Sequence, residues 1–79
     1  MKDAEILETE LVERIYKLFL KKYDGNKSSF ARDSSCTETT IRRILKNQQG
    51  ITVNLLIRIA NALETTSSEL LKDLNIKDQ

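Results

Sequence analysis

Apolar positions along the chain fall in helical steps almost throughout. From about Ala4 to Lys22, Leu7, Leu11, Ile15, Leu18 and Phe19 recur every three or four residues, with Ile6 and Leu20 at the edges of the stripe. This spacing predicts a first helix. Thr9 offers a cap for a shorter version starting at Glu10, and the residues admit either start. Acids gather near the beginning and Lys17, Lys21 and Lys22 near the end, which suits the helix dipole. Asp24-Gly25 then reads as a turn, with Gly25 as the stop.

Four further helices follow from the same pattern. Asn26 caps Lys27 to about Ser34, with Phe30 and Ala31 facing inward. Ser34-Ser35-Cys36 is a tight connection to the next cap, Thr37. From Glu38 to Lys46, Ile41, Ile44 and Leu45 share one face, while Thr39, Arg42, Arg43 and Lys46 gather on the other. Asn47 to Gly50 is a polar loop. Thr52 caps Val53 to Leu63, whose expected core stripe is Val53, Leu56, Ile59, Ala60 and Leu63, widened by Leu55 and Ile57. Thr66-Ser-Ser-Glu69 has the form of a capping box opening a last helix with Leu70, Leu71 and Leu74 on its apolar face. Met1 to Asp3 are expected to fray and Lys77 to Gln79 to be disordered. The expected fold is an all-α, five-helix single domain.

Composition narrows the function. The chain has 79 residues, no Pro, no His and one Cys. A chain this short buries a thin core, so dimerisation would help it. One Cys excludes an internal disulfide framework, and without His neither a Ser-His type triad nor a His-bearing metal site exists. No metal and no cofactor is expected. No nucleophile–base pair or Gly-rich phosphate loop appears, so no enzyme is expected. No apolar run is long enough to span a bilayer, and no secretory pattern opens the chain, so a cytoplasmic location is the default. Cys36, between two helices, is expected to point inward as a small hydrophobe with no redox role.

The net charge of +1 hides an asymmetry. Residues 1–13 carry −4, residues 14–46 carry +6 and residues 47–79 carry −1. A basic middle between acidic ends points to a polyanion contact confined to that middle. The helix at 38–46 is the natural centre of that contact. Its width suits the major groove, and its guanidinium groups suit guanine edges and phosphates. Charge on an exposed helix face is also what ordinary solvated surface looks like, and this stretch alone does not separate the two.

Two helices joined by a short turn, the second cationic, form a helix-turn-helix pattern. Phe30-Ala31-Arg32-Asp33-Ser34-Ser35-Cys36-Thr37 resembles the stretch Leu-Ala-x-x-x-Gly-apolar-Ser/Thr of the Cro/phage-repressor (XRE-like) helix-turn-helix family. Ile41 and Ile44 match that family's inward positions in the recognition helix. Thr52 to Leu63 resembles its fourth helix, with Ile59-Ala60-Asn61-Ala62-Leu63 at the end, and Thr66 to Leu71 resembles its fifth-helix opening. The similarity spans roughly Leu11 to Leu71.

The resemblance implies a lambda-repressor-like domain occupying residues 1–79, with short extensions outside that core. It implies a sequence-specific transcriptional regulator, a homodimeric repressor on a palindromic double-stranded DNA operator. Base contacts would fall to Glu38, Thr39, Thr40, Arg42 and Arg43, and phosphate contacts to Asn26, Lys27, Lys46 and Gln48. Glu38 either accepts from cytosine or only serves the helix dipole. The spare apolar residues Leu70, Leu71, Leu74 and Ile76 are expected to form the dimer interface, with Ile6, Leu7 and the first helix as the rival. The alternative function is an antitoxin-type or other protein-interaction module of the same fold.

Three departures stand out. Ser35 replaces a turn Gly that often needs positive φ. Asp24-Gly25 adds a residue between the first two helices, which shifts the register at Lys27. The family's buried Arg–Glu pair corresponds to Phe19 and Leu45, which are therefore expected to meet in the core.

Overall fold

The computed structural model describes the backbone of residues 3–72 and of Leu74, and side chains from Glu8 onward. Expectations that fall on residues 1–2 and 75–79, Ile76 among them, and on the side chains of Ile6 and Leu7, lie outside the described residues. Five helices follow one another: α1 (Asp3–Tyr23), α2 (Lys27–Asp33), α3 (Glu38–Leu45), α4 (Val53–Ala62) and α5 (Ser67–Leu71). Among the described residues there is no strand. The longer form of α1 is the one adopted.

Each of α2 to α5 starts where a side-chain oxygen satisfies a free amide. Asn26, Thr37, Thr52 and Thr66 accept from the amides of Ser29, Thr40, Leu55 and Glu69. Three helices end by one device. The residue past the cap takes a left-handed backbone, at Ser35, Asn47 and Glu64, each with φ 59°. The amides that follow turn back onto the last helical carbonyls, as in Cys36 to Ala31 (3.0 Å), Gln48 to Arg43 (2.8 Å) and Thr65 to Ala60 (2.9 Å). Gly usually fills this position, and none of these three is Gly.

The core runs through all five helices. Ile15, Phe19, Phe30, Ile41, Ile44, Ile59 and Leu70 are its most deeply buried apolar side chains. Phe19 and Phe30 stack with ring centroids 5.0 Å apart, and Tyr23 lies 5.2 Å from Phe30. The Tyr23 hydroxyl lies 2.7 Å from Asp33 Oδ2 and 3.0 Å from the Ala62 carbonyl oxygen, tying α1 to α2 and α4. Lys22 pairs with Glu64 at 2.7 Å beside it. At the other end, Arg14 Nη1 donates to the Leu70 carbonyl at 3.0 Å and also meets the Glu69 and Lys72 carbonyls. A cation from α1 thus closes the C-terminal end of α5.

Four expectations need correction. Val12 is buried and Leu18 only half-buried, so the α1 stripe is rotated toward Val12. Val53 is 74% exposed. It shares an angular position with the core residues but stands in the first turn, and its Cβ tilts toward the N-terminus, past the edge of the core. Ile57 is 47% exposed, whereas Leu55 is buried, so α4 is widened on one side only. Leu70 is 1% exposed and Leu74 is also buried, so one core does absorb them. Of the expected four-residue dimer patch, Leu71 alone is described as exposed, at 38%.

The two expected partners Phe19 and Leu45 differ in burial. Leu45 is half-buried and lines a shallow groove with Val12, Glu13, Tyr16 and Lys17. Leu45 packs against the core cluster that contains Phe19, but Phe19 is fully buried in the aromatic cluster while Leu45 keeps one side in the groove.

Candidate nucleic-acid interface

The α2–α3 corner is set by local chemistry. Ser35 turns the chain in the left-handed region, and Arg58 Nη1 of α4 donates to its carbonyl at 2.9 Å. The Cys36 amide closes back on α2, and its thiol is half-buried, with burial pushing its pKa up against the opposing charge of Arg58. A thiol so placed is mostly protonated at neutral pH, which suits the packing role expected of it. The Thr37 hydroxyl accepts from the Thr40 amide at 3.1 Å and donates to Thr40 Oγ1 at 3.0 Å. Ile41 and Ile44 then fix α3 on its inner face.

What α3 presents outward is Glu38, Thr39, Arg42, Arg43 and Lys46, all exposed, with Thr40 half-exposed at the edge. These residues share one face, as expected, but they are not equivalent. Glu38 Oε1 accepts from Ser28 Oγ at 2.8 Å, and Glu38 Oε2 accepts from Arg42 Nη2 at 3.0 Å. The Ser28 hydroxyl first, and the Arg42 guanidinium second, hold the Glu38 carboxyl below its ordinary pKa. Arg42 therefore carries a partner already. Arg43 and Lys46 make no side-chain hydrogen bond or ion pair among the described residues.

The expected phosphate-side residues frame this face. Asn26 spends its side-chain oxygen on capping, and its side-chain NH2 has no partner among the described residues. Lys27 is half-buried and close enough to lower the Glu38 pKa further. Gln48 is exposed, and its main-chain N–H donates to the Arg43 carbonyl, so the loop after α3 leaves in a fixed direction.

The basic middle is smaller in effect than its formal charge. Arg14 serves α5, Lys22 serves Glu64, and Arg32 lies 4.0 Å from Asp33. The sequence reading missed Ser28, Arg14 and Arg58 as structural partners. Arg58 had a signal, as the lone charge in an apolar helix. Ser28 had none, since a hydroxyl in a first helical turn is ordinary.

A family model for the Cro/C1-type HTH DNA-binding domain matches residues 17–74. The chain belongs to this family. As a Cro/C1-type domain it is a DNA-binding module, and its five helices agree with that assignment. Comparison with curated proteins and with solved structures returned no match. The matched stretch takes in α2 to α5 and the last part of α1, and it excludes Leu11, Val12, Arg14 and Ile15. Among the described residues no helix of this Cro/C1-type domain is long and apolar enough to cross a membrane, and no cluster of three metal-capable side chains occurs.

Proposed function

We propose that the protein is a sequence-specific transcriptional regulator, a repressor that acts in the cytoplasm as a homodimer on a palindromic operator. In this reading α3 enters the major groove. Thr39, Thr40, Arg42 and Arg43 meet base edges, and Asn26, Lys27, Lys46 and Gln48 hold the phosphate backbone. The observation that carries the reading is the pair Arg43 and Lys46. Both are exposed and unpartnered among the described residues, on a helix whose other side is locked into the core. Arg14, Lys22, Arg32, Arg42 and Arg58 have partners, and of the described cations without one, Arg43 and Lys46 are those that stand on the outward face of α3.

The test is binding to random duplex DNA at several salt concentrations, followed by selection of bound sequences from a random pool. Salt-dependent binding with an enriched two-fold symmetric motif is expected. A wild-type chain that behaves like the Arg42→Glu/Arg43→Glu double variant sinks the reading. Sedimentation of the free and DNA-bound protein tests the homodimer.

A protein partner is the second reading, as in an antitoxin-type module. The exposed apolar pair Val53 and Ile57, one turn apart on α4, favours it.

A further inference from the structure

We propose that Ser28 is a positioning residue for base reading. It holds the Glu38 carboxylate, which holds Arg42, and the relay presents the guanidinium to a guanine at one base pair of each half-site. The inference rests on the DNA-binding reading above and assigns Glu38 a third role. Glu38 is neither a base acceptor nor only a charge at the helix start, but a buttress.

Three observations support it. First, both carboxylate oxygens of Glu38 are engaged, one by Ser28 Oγ at 2.8 Å and the other by Arg42 Nη2 at 3.0 Å. A carboxylate whose two oxygens each accept a hydrogen bond is poorly placed to accept from cytosine as well. Second, the relay crosses between helices. Ser28 stands on α2 and Glu38 and Arg42 on α3, so the carboxylate is anchored from a second helix. An i,i+4 pair on one helix would otherwise be free to swing. Third, Arg42 gives one donor to Glu38 and keeps four N–H groups. A bidentate contact to guanine O6 and N7 needs two. The side chain is ordered before DNA arrives, so less freedom is lost on binding.

Charge separates the clamped arginine from its neighbours. Arg42 and Glu38 together are close to neutral, so Arg42 adds little to phosphate attraction. Arg43 and Lys46 have no such partner among the described residues and keep their full charge, which Arg43 brings to its base contact and Lys46 gives to the non-specific, salt-sensitive part of binding.

The experiment is selection from a random duplex pool, with binding isotherms over a salt series, for the wild type and for Ser28→Ala, Ser28→Thr, Glu38→Gln and Arg42→Ala. The wild type is expected to enrich a guanine at one position per half-site, and Arg42→Ala to lose it. Ser28→Ala should lower discrimination at that position alone by about three- to ten-fold, the equivalent of one ordinary hydrogen bond. Its affinity for scrambled DNA and its salt slope should stay as in the wild type. Ser28→Thr keeps the hydroxyl and should keep the discrimination. Glu38→Gln should flatten the same position and steepen the salt slope by about one, because the Arg42 charge is released.

Ser28 is exposed and Ala is a good helix former, so Ser28→Ala is expected to fold, with circular dichroism as the check. The relay is overturned if Arg42→Ala loses the guanine while Ser28→Ala retains full discrimination. It is equally overturned if Ser28→Ala weakens all positions evenly. A wild-type chain that enriches no sequence overturns the sequence-specific reading, and the inference with it.

Discussion

Arg58 Nη1 donates to the carbonyl of Ser35 at 2.9 Å, so a side chain of α4 holds the turn that aims α3. The contact is to the main chain, and it survives any change of the Ser35 side chain. Ser35 itself sits at φ 59°, where a Cβ is unfavourable. Ser35→Gly is therefore expected to stabilise the fold by about 0.5–1 kcal/mol, the lost steric cost outweighing the added chain entropy. Urea unfolding should show a higher midpoint at an unchanged slope. A lower midpoint would mean that the Ser35 hydroxyl contributes something the backbone does not.

The position of Leu45 changes what a charge there would do. In a dry core, Leu45→Glu would cost about 3–5 kcal/mol. Leu45 is half-buried in a groove that Glu13, Tyr16 and Lys17 also line, so a carboxylate there reaches water, with the charges of Lys17 and Glu13 acting in opposite directions. The expected loss is about 1–2 kcal/mol, in the ordinary range for a single substitution. Ile44→Glu, one residue earlier and fully buried, should cost at least twice as much. Equal losses in urea unfolding would show that Leu45 is as enclosed as Ile44.

Tyr23 makes the fold sensitive to alkali. Burial, then its hydrogen bond to Asp33 and the charges of Asp33 and Glu64, push its pKa up to about 12, with Arg32 acting the other way. An unfolded tyrosine ionises near its ordinary value of about 10. The raised value means that the folded state keeps the proton longer. The stabilisation is complete below the unfolded pKa and is lost as pH rises toward about 12. Between those limits, wild-type stability should fall more steeply with pH than that of Tyr23→Phe. Parallel curves for the two proteins in chemical unfolding at stepped pH would contradict this.

Arg43 and Lys46 should separate by kind of contact. Arg43→Ala is expected to cost about 1–3 kcal/mol on the best site and to relax preference at one base pair. Lys46→Ala should weaken specific and scrambled duplexes alike and lower the salt slope by about one unit. If Arg43→Ala leaves discrimination intact and lowers only the slope, Arg43 is a phosphate contact, and sequence reading falls to Arg42 and the threonines.

The sequence carried the fold because its signals are local. Asn26, Thr37, Thr52 and Thr66 each stand directly before their helix, and each cap reads from a neighbourhood of four residues. The face of α3 was legible for the same reason, since 100° steps place Arg43 opposite Ile41 and Ile44 without further information. Contacts between distant residues were not legible. Ser28 and Glu38 are ten residues apart, Ser35 and Arg58 twenty-three, and Arg14 and Leu70 fifty-six. No periodicity links such pairs, and each partner looks like ordinary polar surface in its own segment. Val53 failed differently, because its spacing continues past the place where the core ends.

The grip of Arg14 on the end of α5 bears on how this domain can be cut and recombined. A fragment trimmed to residues 17–74 would retain the whole helix-turn-helix, yet it would lose Arg14 together with Leu11, Val12 and Ile15. The segment that the family model matches is thus shorter than the segment that builds the core. A chimera that swaps recognition helices between such domains must carry residue 28 along with residues 38–46, since Ser28 on α2 holds Glu38. One that swaps C-terminal helices must bring its own α1 residue to close them, or leave three carbonyls facing a gap.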